Sequence, residues 1–320
     1  MAGVGLMLPD VDLMSRREAI AVVQRAEELG YDSVWVGEAW GRDAVTALTE
    51  VAVHTHTIRL GFGILNVYSR TPALIAQTTA TLDEISGGRV VLGLGTSGPT
   101  VVESWHGVPY RSPLQRTREC IEVVRLALSG ERVDYEGRIF RLRGFRLRFR
   151  PPRPVVPIYV AALGPHNLRL TGELADGWLP IYLWPERVGE FQRHLEVGAR
   201  VAGRSLADVV VAPYTLACVN EDGQRARDLI RQHLAYYVGG MGTFYAELVG
   251  RYGFAAEVEA VRRAWAQGDR TAAAAHVSDA LVDALSVAGE ADQCRWRLAT
   301  YHAQGVHLPI VVFPHGSAPE

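Results

Sequence analysis

Short apolar runs alternate with longer helical patterns along nearly the whole chain, and this rhythm restricts the fold more than any single motif does. The first cycle is an apolar run at 3–8 followed by a helical pattern at 15–29. There Ser15-Arg16-Arg17-Glu18 has capping-box spacing and Gly30 is placed to close the helix. Further runs at 33–37, 58–63 and 90–94 are separated by helical patterns at 43–53 and 72–85, as parallel strands with crossover helices require. After a helix at 114–128, two short strands flank Glu136-Gly137-Arg138, a hairpin excursion over about 131–150 that prolines 151, 152, 154 and 157 end. The cycle resumes at 158–161, 177–181 and 209–219, and a last strand, 310–313, follows a helix at 291–304.

Eight strand candidates in that alternation predict an α/β fold, a (β/α)8 TIM barrel. A long alanine-rich helical stretch follows residue 224, and a helical insertion near the C-terminal mouth, about 236–288, accommodates it. A length of 320 residues fits one such barrel or two ordinary domains. The absence of an internal repeat or low-complexity linker favours a single domain over 1–320.

Composition removes several classes. With 33 basic and 35 acidic residues the formal net charge is −2, so no broad footprint for nucleic acid is expected. A basic cluster at 138–153 has arginines alternating with Phe145, Leu147 and Phe149, the pattern of an exposed strand face. Cys120, Cys218 and Cys294 are too dispersed for a CxxC motif or a disulfide framework, and no apolar run reaches membrane-span length. The expectation is a soluble, cytoplasmic protein without a metal site; His54 and His56, two residues apart on a helix, do not share a face.

In such a fold chemistry sits on the loops after the strands. The third strand ends in Gly61-Phe62-Gly63-Ile64-Leu65-Asn66, where glycines either seat the flat face of a ligand or mark a bulge and tight packing. Gly93-Leu94-Gly95-Thr96-Ser97-Gly98 is a glycine-rich turn with two hydroxyls, but no helix follows closely enough for a dinucleotide fingerprint. Ala162, Leu163, Gly164 and Pro165 lead a strand into a helix whose free N–H groups suit a phosphate, although an ordinary βα turn looks the same. Trp40, Tyr68, Trp105, Tyr110, Trp178, Tyr182 and Trp184 gather in these loops and are expected to line a substrate pocket. Glu38, after the second strand, and His106, beside Trp105, are the candidate groups for proton traffic; a solvated acid and a structural histidine are the competing readings.

The segments Gly37-Glu38-Ala39-Trp40-Gly41-Arg42-Asp43-Ala44, Ser69-Arg70-Thr71-Pro72-Ala73, Leu82-Asp83-Glu84-Ile85-Ser86-Gly87-Gly88-Arg89, Ser104-Trp105-His106-Gly107-Val108 and Ala175-Asp176-Gly177-Trp178 resemble motifs of the luciferase-like monooxygenase superfamily. The resemblance spans essentially the whole chain, with Ile85-Ser86-Gly87-Gly88-Arg89 its most specific part. It is strongest to the coenzyme F420-dependent branch, which includes methylenetetrahydromethanopterin reductases and F420-dependent glucose-6-phosphate dehydrogenases.

That resemblance implies a deazaflavin backed by a non-prolyl cis peptide, here Gly63–Ile64. It assigns Asn66 to the cofactor edge, Thr96 and Ser97 to the ring or its tail, and Ala162, Leu163, Gly164 and Pro165 to the phosphate region. The implied function is hydride transfer between deazaflavin C5 and a small organic substrate, by a homodimer packed around 43–53 and 72–85. The alternative is an FMN-dependent monooxygenase using reduced flavin, oxygen and a partner flavin reductase. Glu38-Ala39 and Gly98 stand where the sugar-phosphate dehydrogenases carry an acid-histidine pair and a glutamate, which argues against sugar-phosphate oxidation. The proton donor or acceptor is left among Glu38, His106 and bound water.

Overall fold

A computed structural model describes residues 3–8 and 14–314. Two compact units share the chain: Gly3–Leu179 with Glu190–Ala212, and Pro180–Gly189 with the chain from Pro213 onward.

In the first unit β1 (Gly5–Met7), β2 (Ser33–Val36) and β3 (Arg59–Phe62) pair in parallel, and a short β4 (Leu65–Asn66) joins β5 (Val90–Gly95). A two-stranded antiparallel hairpin, β6 (Val133–Glu136) and β7 (Arg141–Phe145), precedes β8 (Ile158–Val160), β9 (Gly177–Trp178) and β10 (Val210–Val211). The parallel order is β10-β9-β8-β5-β3-β2-β1. Between the strands run α1 (Arg16–Glu28), α2 (Ala44–His54), α3 (Pro72–Ser86), α4 (Pro113–Leu128), α5 (Pro165–Leu174) and α6 (Val188–Val201). This is the α/β connectivity of a TIM barrel expected from the alternating pattern.

The second unit holds three parallel strands, β11 (Tyr214–Val219), β12 (Ser286–Gly289) and β13 (Ile310–Val312), in the order β13-β11-β12. Its helices are α7 (Gly223–Gly240), α8 (Phe244–Val249), α9 (Ala255–Ala266), α10 (Arg270–Ala275), α11 (Asp279–Leu285) and α12 (Ala291–Ala303). Among the described residues no helix is long and apolar enough to cross a membrane.

Local signals set several boundaries. Ser15 caps α1 with the reciprocal bond from Glu18, and Gly30 takes φ +79°. Two expectations are corrected. The run at 209–219 is interrupted at Pro213, which has no N–H for a ladder, so β10 and β11 are separate strands. β12 lies inside the stretch read as helical, because its four residues follow α11 directly and no turn residue announces the change.

The connection from α3 to β5 is held by buried ionic contacts. Gly87 and Gly88 adopt positive φ and let the chain reverse. Arg89 then donates to the carbonyls of Ser86 (2.7 Å), Ala52 (2.8 Å), Ile58 (2.9 Å) and Thr55 (3.0 Å). Asp83, fully buried, accepts from Arg153 Nε at 2.9 Å and Nη2 at 2.5 Å and from the Val90 N–H at 3.2 Å. Removing one partner of such a pair leaves a buried charge uncompensated. Arg153→Met should therefore lower the unfolding free energy by about 3 kcal/mol in urea titration, whereas Arg143→Met, at an exposed contact, should change it by less than about 1 kcal/mol.

Candidate cofactor-binding site

The loops after β2, β3, β5 and β8 leave the same end of the parallel sheet of the first unit. Between β3 and β4 the Gly63–Ile64 peptide is cis, at the bond the resemblance indicated. Its flanks are anchored to the end of β2: Gly63 N–H donates to the Val36 carbonyl at 2.7 Å, and Glu38 N–H donates to the Ile64 carbonyl at 3.3 Å. The Ile64 side chain lies over Gly95, where a Cβ would meet its Cδ1 at 2.9 Å. Below this shelf, a Cβ on Gly93 would fall 1.9 Å from the Phe62 carbonyl oxygen, and one on Gly61 would enter the Trp35 ring at 2.2 Å. The glycines thus divide into those that let the strands pack (Gly61, Gly93) and those that shape the shelf (Gly63, Gly95).

Asn66, 1% exposed, closes one end of the shelf. Its Oδ1 accepts the Tyr68 N–H at 2.8 Å, while its Nδ2 is buried without a hydrogen-bond partner. Tyr68 stacks on Tyr110 with ring centroids 5.1 Å apart and donates its hydroxyl to the Arg111 carbonyl at 3.0 Å. Burial, with Tyr110 adjacent, pushes the Tyr68 phenol up to about 12, so it stays neutral. The Tyr110 hydroxyl donates to Thr96 Oγ1 at 3.2 Å, Thr96 donates to the Ser97 carbonyl at 3.2 Å, and Ser97 adopts φ +53°. One cluster therefore joins Asn66, Tyr68, Thr96, Ser97 and Tyr110.

The acid–base candidates are placed differently. Glu38 receives Arg70 Nε at 3.0 Å and Nη2 at 2.7 Å, and Arg70 Nη2 also reaches Asp43 Oδ2 at 2.5 Å. Glu38, the sequence candidate for proton traffic, is an anchored ion-pair partner and not the solvated loop acid of the competing reading. Arg70 was visible only as part of Ser69-Arg70-Thr71-Pro72, and nothing in the sequence paired it with a carboxylate 32 positions away. His106 is exposed at the end of a π-helical turn, its N–H donating to the Val101 carbonyl. Next to it Trp105 meets Trp40 edge to face, centroids 4.9 Å apart, both rings about half exposed.

At the start of α5, Gly164 occupies the N-cap without a side-chain hydrogen bond, and Pro165 is the first helical residue. Backbone N–H groups in this first turn are open to an anion. Asn167 donates its Nδ2 to the Ala161 carbonyl at 3.1 Å and leaves Oδ1 buried and unpartnered. Leu163 is half-buried in this turn and Ala162 is buried. Trp178, expected to line a pocket, is instead wholly buried, its Nε1 donating to the Ala162 carbonyl at 2.8 Å and its ring 5.4 Å from Phe191. It supports the turn from beneath.

Tyr182 and Trp184 belong to the second unit. Tyr182, 1% exposed at φ +52°, is packed edge-on against Tyr237 and Tyr245, each at 5.7 Å, so it too is interior and not the open pocket wall expected. Trp184 packs against Tyr252 and Phe254 and borders a cavity of about 1140 Å³ with Glu186, Arg227 and Arg297.

Comparison with known proteins places the chain. The family model described as luciferase-like monooxygenase matches residues 4–308. A proposed coenzyme F420-dependent oxidoreductase of Mycobacterium tuberculosis is 36% identical over 308 residues, 91% of this chain and 89% of the relative. The 5,10-methylenetetrahydromethanopterin reductase of Archaeoglobus fulgidus is 33% identical, covering 92% and 89%. The solved structure of coenzyme F420-dependent tetrahydromethanopterin reductase from Methanopyrus kandleri superposes with a TM-score of 0.88 at 28% identity, covering 100% of this chain and 94% of that one.

The shelf depends on close strand approach. Gly93→Ala should cost about 1–3 kcal/mol of stability by urea titration, because its Cβ meets a backbone oxygen. Gly98→Ala, with nothing within 4 Å of its Cβ, should be neutral.

Proposed function

We propose that this chain, which belongs to the luciferase-like monooxygenase family, is a coenzyme F420-dependent oxidoreductase that moves a hydride between the deazaflavin and a small organic substrate. The observation that carries the reading is Asn66. Its oxygen is engaged and its Nδ2 is buried and unpaired, a state that costs about 1–3 kcal/mol until an acceptor arrives. The carbonyl-bearing edge of a deazaflavin offers such an acceptor. The F420 dependence of the relatives supports the same choice of cofactor.

The remaining residues fit such a group. The Gly63–Ile64 shelf offers a side-chain-poor surface to the flat ring, and Thr96 and Ser97 offer hydroxyls beside it. The open first turn of α5, at Gly164 and Pro165, would take the phosphodiester, with the Asn167 side chain already fixed to Ala161 behind it. Bound reduced F420 supplies a hydride at its ring C5. Protein side chains then orient the partner and move the accompanying proton. Trp40 and Trp105 offer an apolar edge for an organic substrate, and exposed His106 beside them is the group to hold or release the proton at an imidazole nitrogen. Glu38 keeps its carboxylate on Arg70 and holds the loop that anchors the Ile64 carbonyl.

Equilibrium binding decides the cofactor. The protein should bind F420, read by the fluorescence change of the deazaflavin, and Asn66→Ala should weaken that binding by about tenfold to a hundredfold, equivalent to about 1–3 kcal/mol. Tight binding of FMN with none of F420 would overturn the reading in favour of an oxygen-activating flavin monooxygenase. His106→Gln should lower the rate of substrate-dependent F420 turnover without changing F420 affinity; an equal rate at every pH would remove His106 from proton transfer.

A further inference from the structure

The hairpin of β6 and β7 is a sheet of its own and pairs with no strand of the parallel sheet, so the barrel pattern does not account for it. It is nonetheless firmly mounted on α4. Glu119, 1% exposed, accepts the N–H groups of Arg138 (2.8 Å), Ile139 (2.9 Å) and Phe140 (2.8 Å), together with Gln115 Nε2 (2.8 Å). A Cβ at Gly137 would run into the Glu119 carboxylate, so the turn requires glycine there. Closer to the base of the hairpin, the Tyr135 hydroxyl donates to Glu122 Oε2 at 2.5 Å. This mounting brings the ring of Phe140, at the end of the turn, to Arg116 in the first turn of α4.

Arg116 is held in an uncommon way for a partly buried charge. Its guanidinium lies over the Phe140 ring at 5.1 Å and over the Tyr68 ring at 4.6 Å. It makes no ion pair among the described residues, and its Nε is buried without a hydrogen-bond partner. The carboxylate three residues along the helix, on Glu119, is already taken by the hairpin turn. The negative faces of the two rings therefore hold the charge. Arg116 is close enough to Tyr68 for that charge to oppose the rise in pKa that burial imposes on the phenol. Tyr68 is fastened on its other contacts by the Tyr110 stack and the Arg111 carbonyl, and its main-chain N–H occupies Asn66 Oδ1. That bond decides the polarity of the Asn66 amide: with Oδ1 engaged, Nδ2 is the end left to a ligand. One line of contacts thus runs from Glu119 through Phe140, Arg116 and Tyr68 to Asn66, all within the first unit.

We propose that Arg116 is a positioning residue for the candidate cofactor site and that the hairpin is the buttress that seats it, so that Phe140 and Tyr68 together hold the wall presenting Asn66 Nδ2. The inference rests on the F420 reading above and adds to it a residue and a segment outside the cluster described there. Such a role differs from general stabilisation in one measurable respect. Its effect on ligand affinity passes through the Asn66 side chain and vanishes when that side chain is removed, whereas independent effects add.

The test is a double-mutant cycle on the full chain, read by fluorescence titration with F420. Arg116→Met keeps an unbranched apolar stem and removes the charge. It should weaken F420 binding about fivefold when Asn66 is present and by less than about twofold in the Asn66→Ala background. Arg116→Lys, which keeps a cation over the rings, should recover most of the affinity. Phe140→Leu, which removes one ring, should give a smaller loss with the same dependence on Asn66, and Arg143→Gln, on the exposed surface of the hairpin, should give none. Urea unfolding of each variant separates folding from binding, and the Phe140→Leu cycle carries the comparison if Arg116→Met does not fold. Losses of equal size with and without the Asn66 side chain, or full affinity in both Arg116→Met and Phe140→Leu, would overturn the proposal and leave the cofactor reading standing. A wild-type protein that binds no F420 removes both.

Discussion

Strands β3 and β5 approach so closely that Gly93 has no space for a Cβ, and the floor of the candidate site depends on that contact. With the Phe62 carbonyl seated against Gly93, the chain beyond it must leave the β3 line. It does so through the Gly63–Ile64 peptide and re-enters the sheet as β4 beside the end of β5. Gly95 then receives the Ile64 side chain, and Asn66 is delivered, buried, to the edge of the shelf. Placement of the site thus begins with a packing contact between two backbones. Polar groups complete it: Val36 and Glu38 secure the shelf from one flank, and the Arg70 bridge to Glu38 and Asp43 secures the loop that supplies Glu38.

The segment on which the family resemblance chiefly rests, Ile85-Ser86-Gly87-Gly88-Arg89, acts on the backbone between α3 and β5. Its two positive-φ glycines turn the chain, and Arg89 collects carbonyls from the end of α2 and the approach to β3. Asp83 and Arg153 lock the neighbouring start of β5. Burial lowers the Arg89 pKa, yet an arginine starts so high that the side chain remains charged at neutral pH. The segment therefore helps to bring β3 and β5 together, which is the condition the shelf needs.

Periodic and local features were legible in the sequence because their cause lies within a few residues. The βα alternation, the Ser15 capping box and the reversal at Gly30 are of this kind. The cis peptide was legible only through family resemblance, since Gly63-Ile64 carries no local sign of it. Features that depend on distant partners were not legible: Arg70 selects Glu38 across 32 positions, and Trp178 turns inward because Ala162 offers it a carbonyl. β12 escaped for another reason, as four residues directly after a helix give no period to read. Tyr182 and Trp184 were grouped with the other loop aromatics by sequence position, whereas their neighbours are the aromatic residues of the second unit.

Glu119 has a consequence for how such a protein can diverge. One carboxylate inside α4 fixes the hairpin turn by grasping main-chain amides, which every residue type except proline supplies. Aim and surface character are therefore written in different places. Apart from Gly137, the outward side chains of the hairpin can be exchanged without re-aiming it, so descendants of this chain can change the surface of the hairpin while inheriting where it points.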